Sequence, residues 1–216
     1  MKFIFEPEIL QAICKDVLKE TKIVPNNKSE KLNELFNALT SKLEQEYPGY
    51  IVTKPRDWIF NNAGGAMGSL TFLHGSLKEY LILFGTPIGT HGHSGRYRRA
   101  DVYDIMLDGE MLCLNEDDIQ RHTFLPGDMA HLVKKKSKSY RVPDYAWMLE
   151  YARGGIPGMI KFGIGDNLFS NFDYRSSNRL IRKYFGFVFK QKPKRIKKQD
   201  LPISTIYKQI AAQVKI

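Results

Sequence analysis

The chemistry open to this chain begins at Glu150. It stands in AWMLEYARGGIP, residues 146–157, inside an otherwise apolar run. On a strand, side chains alternate between faces, so Glu150 shares a face with Ala146, Met148 and Ala152. An ionised carboxylate there carries a large desolvation cost. Either a partner offsets that cost, or the group keeps a proton near neutral pH. The second alternative is how an apolar site obtains a general acid. The plainer reading is a buried glutamate paired with Arg153 or a backbone amide, because structural ion pairs are common. A tight Arg153–Glu150 pair would depress the glutamate's proton affinity and weaken its case as an acid.

A second set of carboxylates lies in RADVYDIMLDG, with Asp101, Asp104 and Asp108. Parity places Asp104 with Val102 and Met106, and Asp101 with Tyr103, Ile105 and Leu107, unless a bulge intervenes. Asp108, beside a turn glycine, reads as an outward polar residue. Asp104 and Asp101 both stay open as partners of Glu150. The histidines come next. GTPIGTHGHSG holds His91 and His93, and His131 follows Pro126-Gly127. The spacing resembles the metal-binding pattern of cupins, but Tyr97, Arg98 and Arg99 occupy the region where a ligating glutamate belongs. Cations beside a divalent metal are unfavourable. The pattern therefore points to a cupin-like barrel without a metal.

The elements that must position these residues fall into three parts. Residues 8–20 carry Ile9, Ile13 and Val17 at four-residue spacing, an amphipathic helix opened by Glu6-Pro7-Glu8. Residues 30–46 repeat the pattern, and Pro48 ends it. From about 55 to 155, short aromatic and aliphatic segments alternate with glycine and proline, the texture of a sandwich or small barrel. FLPGDMAH reads as a turn between two strands. Helical texture returns after 157, with an apolar and basic pattern over 166–189, followed by the basic run KQKPKRIKKQ and a last amphipathic helix over 203–216. The division expected is a helical segment over 1–50, a barrel domain over 51–160, and C-terminal amphipathic helices with the basic run over 161–216.

The net charge, 33 − 23 = +10, directs attention to an anionic partner. The basic residues flank an amphipathic, aromatic helix, an arrangement that favours a membrane interface over nucleic acid. Two cysteines, Cys14 and Cys113, make neither a disulfide framework nor a metal spacing. No run reaches the roughly 18 apolar residues of a membrane span. The start, MKFIFEPEIL, turns acidic too early for a signal peptide. Asn27-Lys28-Ser29 is a glycosylation sequon, meaningful only in a secretory lumen.

Long words in this sequence resemble the family that joins fungal C-8 sterol isomerase with the animal sigma non-opioid receptor. They are NNAGGAMGSL, LHGSLKEYLILFGTPIGTHGHSGRY, ADVYDIMLDG, FLPGDMAH, and WMLEYARGGIP running into FGIGDNLFSNFD. The likeness covers about residues 56–175 in register. It implies a mixed α+β fold: a cupin-like β-barrel with N-terminal helices and C-terminal amphipathic helices that meet the membrane. It also implies a hydrophobic ligand inside the barrel, a homo-oligomer (members can trimerise), and endoplasmic reticulum membrane association.

In the receptor branch two acids face each other, matching Glu150 and Asp104; the fungal enzyme has its acid at the Asp101 position instead. Tyr80, Phe84, Tyr97, His131, Ile156 and Met159 match positions that line the pocket or support the acids, and Met148 joins them by sharing the Glu150 face. Ala66 replaces a receptor tryptophan. Family members usually begin with a membrane anchor, whereas this sequence opens at the first soluble helix, which would leave membrane contact to the C-terminal helices.

The expected activity is cofactor-independent isomerisation of a sterol ring double bond from the 8(9) to the 7(8) position. Glu150 would act with Asp104 or Asp101, and His131 would orient a carboxylate or relay a proton. The alternative is a receptor-like, non-enzymatic binder of sterols and cationic amphiphiles. A metal-dependent cupin oxygenase is the third reading. The resemblance implies no metal, no cofactor and no nucleic acid.

Overall fold

Helix α1 (Pro7–Thr21) and helix α2 (Ser29–Glu46) are amphipathic, and each buries its leucine and isoleucine stripe: Ile9, Leu10 and Ile13 on the first, Leu35, Leu39 and Leu43 on the second. The computed structural model describes residues 2–21, 29–53 and 56–190. The sequon, the basic run and the helix expected over 203–216 lie wholly or partly outside those residues.

Ten strands follow: β1 (Ile59–Ala63), β2 (Ala66–Gly75), β3 (Glu79–Thr86), β4 (Thr90–His93), β5 (Ala100–Gly109), β6 (Met111–Asn115), β7 (His122–Phe124), β8 (Met129–Leu132), β9 (Lys138–Val142) and β10 (Ala146–Gly154). Six of them form one sheet in the order β1-β2-β3-β10-β5-β8, and four form another in the order β4-β9-β6-β7. The described sheets pair separately and are not closed into one barrel, which corrects the barrel expected from sequence. The chain passes between the sheets six times, and the passages at Thr86–Thr90 and Val142–Ala146 each contain a proline, Pro87 or Pro143. Proline donates no ladder hydrogen bond, so the ladder stops at both corners.

The two faces of the six-stranded sheet have different tasks. Leu81, Leu83, Tyr103, Ile105, Leu107, Leu149 and Tyr151 pack against α1 and α2. Ile82, Phe84, Val102, Met106, Met148 and Ala152 point the other way, toward Met111, Cys113 and Val142 of the small sheet. The period-two alternation expected for β5 and β10 is what sorts these residues. The turn expected at Pro126-Gly127 joins β7 to β8, and Gly127 takes a φ of 93°, a conformation that favours glycine.

Helical structure resumes at Pro157, where the sequence texture turns helical. Helix α3 (Pro157–Phe169) starts with proline in its first turn, where the missing N–H costs nothing. The helical pattern over 166–189 belongs to two helices, because the chain turns at Phe172, with φ 55°, before α4 (Tyr174–Lys190). Asp173 marks the new start: its Oδ1 accepts the Ser176 amide at 2.9 Å. Asn167 pins α3 to β1, donating to Asn61 Oδ1 at 2.7 Å and accepting the Asn62 amide at 3.1 Å. Asp166 accepts the Gly65 amide at 2.7 Å, so the Gly64-Gly65 hairpin is tied to the same helix.

Candidate active site

Glu150 of β10 and Asp104 of β5 are direct cross-strand partners, and both line the cavity between the two sheets. Cavity and mouth together hold about 960 Å³ not filled by protein atoms. Leu70, Phe72, Ile82, Phe84, Leu132 and Met148 supply much of the apolar wall. Met159 and Phe162 of α3 and Leu180 of α4 close one side. Glu150 is half-buried, and the part left accessible faces this cavity.

Burial is the main reason that Glu150 holds its proton up to about pH 7. The neighbouring Asp104 charge adds to the effect, while the Tyr80 hydrogen bond and the Lys138 charge oppose it. Tyr80 on β3 donates its hydroxyl to Glu150 Oε1. The tyrosine itself resists ionisation, first through burial and then through the Glu150 charge. Arg153 does not pair with Glu150. It lies on the opposite face, donating to the Tyr103 hydroxyl at 2.9 Å and sitting 5.6 Å from the Phe3 ring. The desolvation of Glu150 is therefore met by retention of a proton rather than by an arginine.

Asp104 is 7% exposed and is satisfied differently. Lys138, the first residue of β9 in the facing sheet, places Nζ 2.7 Å from Asp104 Oδ2. Lys138 is 4% exposed. Burial works against its charge, but the Asp104 carboxylate prevails and the ammonium is held more firmly than usual. The reading from sequence missed this lysine. It follows Lys134, Lys135 and Lys136, which are exposed, and the run reads as a solvated loop. The signal was present in the alternation of KSYRV, which puts Lys138, Tyr140 and Val142 on one inward face.

The other expected site residues divide. Tyr80, Phe84, Tyr97, Met148 and Met159 line the cavity. Ile156 is buried at the start of α3, in the same apolar cluster. Asp101 and His131 do not enter it. Parity turns both to the outer face, where His131 Nε2 lies 3.3 Å from Asp101 Oδ1 and the imidazole stacks on Tyr103 at 4.2 Å between centroids. His91 and His93 are on β4 of the other sheet, so the three histidines do not converge. Among the described residues, no group of three or more His, Cys, Asp or Glu side chains is placed to hold a metal ion.

Fold and site together define an apolar chamber for a hydrophobic ligand, with one carboxyl that keeps a proton and one that is ion-paired. The chain belongs to the family described as ERG2 and Sigma1 receptor like protein, whose model matches residues 1–191. It is 36% identical over 172 residues to the C-8 sterol isomerase erg2 of Aspergillus fumigatus, covering 80% of this chain and 69% of that one. It is 46% identical over 123 residues to the C-8 sterol isomerase of Neurospora crassa, covering 57% of this chain and 48% of the relative. The sigma non-opioid intracellular receptor 1 of Gallus gallus is 37% identical over 150 residues, covering 69% of this chain and 67% of the receptor. The chain thus spans about half to two thirds of the length of these relatives. Solved structures similar to it include KdgF from Halomonas sp., with a TM-score of 0.41 at 11% identity over 49% of this chain and 94% of that one. An RmlC-like cupin from Shewanella frigidimarina gives 0.40 at 13% identity over 49% of this chain and 89% of that one.

Proposed function

We propose that the protein is a C-8 sterol isomerase that moves the ring double bond from the 8(9) to the 7(8) position. The observation that carries the reading is the Glu150–Asp104 pair inside an apolar cavity, where burial pushes the Glu150 carboxyl up to about 7. Protonating an alkene needs a carboxyl group that still carries its proton near neutral pH, in a pocket kept from water. Glu150 donates to carbon 9, the alkene electron pair forms the new C–H bond, and positive charge remains at carbon 8. Nearby negative charge stabilises that cation. Loss of a proton from carbon 7 to a carboxylate returns an electron pair to the ring and completes the shift. No electrons are exchanged, so no redox cofactor enters.

Asp104 fits the role of counter-charge. Asp101 and His131, on the outer face, are not part of this step. Tyr80, Phe84, Tyr97, Met148 and Met159 hold the ligand, and Ile156 supports the wall from behind. The receptor-like alternative draws on the same Glu150–Asp104 pair, since a protonated amine resembles the carbocation.

The membrane would be met through α3 and α4. They carry Phe169, 81% exposed, and Phe189, 73% exposed, beside the exposed Arg175 and Arg182. No described helix is long and apolar enough to cross a bilayer. Peripheral association with the endoplasmic reticulum membrane and assembly into a homo-oligomer complete the proposal. Turnover of a sterol unsaturated at carbon 8 in deuterium oxide tests the chemistry. In a single turnover by protein equilibrated in deuterium oxide, the product should be the carbon-7 alkene with deuterium at carbon 9; product without that label would contradict donation from an exchangeable carboxyl group.

A further inference from the structure

Lys138 is a charged cavity group that the acid–base scheme above leaves without a task. Its backbone is held on both sides: the amide donates to Ser94 Oγ at 2.9 Å, and the carbonyl accepts the Ser94 amide at 2.9 Å. Its ammonium crosses from the small sheet to Asp104 on the large one. Buried ion pairs contribute little net stability, and apolar residues of similar volume often do as well. Packing alone therefore gives no reason for a lysine here.

Two carboxylates in one apolar site do not readily both ionise. The hydrogen bonds of this cavity are unequal, with the ammonium on Asp104 and a neutral tyrosine hydroxyl on Glu150. We propose that Lys138 is a positioning residue that keeps the negative charge on Asp104 and the mobile proton on Glu150, and so selects neutral alkenes over permanent cations. This rests on the isomerase reading.

The charge count explains the selection. With a neutral sterol bound, the trio of Lys138 ammonium, Asp104 carboxylate and Glu150 carboxyl sums to zero. After proton donation, the Glu150 carboxylate balances the carbocation, and the sum is again zero. Asp104 is occupied by the Lys138 ammonium at 2.7 Å, so Glu150 both gives the carbon-9 proton and takes the carbon-7 proton back. A permanent cation enters against the ammonium instead. The other titratable groups facing the trio are Tyr80 on β3, Tyr97 before β5, Tyr140 on β9, Cys113 on β6 and His93 on β4. Burial keeps the three tyrosines from ionising in the neutral range and pushes the Cys113 thiol up to about 11.

The test compares Lys138→Met, Lys138→Arg, Asp104→Asn and the Lys138→Met/Asp104→Asn double variant. Two readouts are taken: the alkaline limb of the pH–rate profile for a sterol unsaturated at carbon 8, and affinity for dodecyltrimethylammonium against dodecanol. Lys138→Met should bind the cation roughly tenfold more tightly and move the limb up by about one pH unit, because a charge opposing Glu150's proton is gone. Dodecanol affinity should not follow. Asp104→Asn should move the limb down and weaken cation binding. The double variant should lose the cation gain, and Lys138→Arg should keep the parent limb. If Lys138→Met does not fold, the downward shift in Asp104→Asn and the retention by Lys138→Arg still decide. An unmoved limb with unchanged cation preference across the set overturns the inference. Absence of conversion by the parent protein defeats the isomerase reading instead, and the cation measurements then judge Lys138 on their own.

Discussion

Glu150 and Asp104 face each other across the β10–β5 ladder, yet each meets its burial differently: Glu150 with a retained proton and a tyrosine hydroxyl, Asp104 with a lysine. Stability should register the difference. The folded protein holds the Glu150 proton up to about pH 7, above the ordinary carboxyl value of 4.5. A raised folded value means that its contribution is fully present below 4.5 and is lost as pH rises through about 7. Glu150→Gln, which cannot ionise, should therefore be more stable than the parent at pH 8, by on the order of 2–3 kcal/mol. The gain should vanish near pH 4. Urea denaturation at both pH values checks it, and a pH-independent difference would contradict the retained proton.

A second buried carboxylate has a different task. Glu79, at the start of β3 and 2% exposed, accepts the Ile4 amide at 2.8 Å and the Tyr151 hydroxyl at 2.9 Å. It clasps the segment before α1 to the outer face of the large sheet. Burial raises its proton affinity, and these hydrogen bonds oppose the rise. Glu79→Ala should cost about 2–4 kcal/mol, since it orphans several buried donors at once. Faster proteolysis ahead of Pro7 should accompany the loss. Turnover per folded molecule should persist, because Glu79 does not line the cavity. Unchanged stability would show that the clasp contributes nothing.

The outer-face pair gives the converse expectation. Asp101 and His131 were candidates from sequence, but the alternation that sends Asp104 inward sends them outward. Asp101→Asn and His131→Ala should each leave turnover within about twofold and stability within about 1 kcal/mol, as for an exposed ion pair. A large fall in kcat for either would mean that the catalytic geometry reaches through the sheet.

Much of this site was legible because strands encode their faces in parity. Ala146, Met148, Glu150 and Ala152 fall on one side of β10, and the same counting separates Asp104 from Asp101. Counting alone left the choice between them open, since a bulge reverses parity. The β10–β5 register does shift, opposite Trp147 and Met148, but the skipped residue is Leu107, beyond Asp104 and Asp101 on β5. Lys138 escaped notice because hydropathy classes lysine as solvated, and only its partner across the cavity makes it an inward residue. Sheet closure was not legible either. It depends on which strand edges meet, and the prolines at the corners were read as turn signals rather than as ends of a ladder. The start of α3 was legible at Pro157, because proline suits the first turn of a helix and the texture turns helical after it.

The central claim is that Glu150 is the acid of a sterol double-bond isomerase. The most direct measurement incubates the purified protein and Glu150→Gln, in lipid or detergent, with a sterol unsaturated at carbon 8, and follows the carbon-7 isomer. Conversion by the parent is expected, with a fall of at least about 10³-fold in a folded Glu150→Gln variant that still binds the sterol. Conversion that survives the substitution would contradict the account.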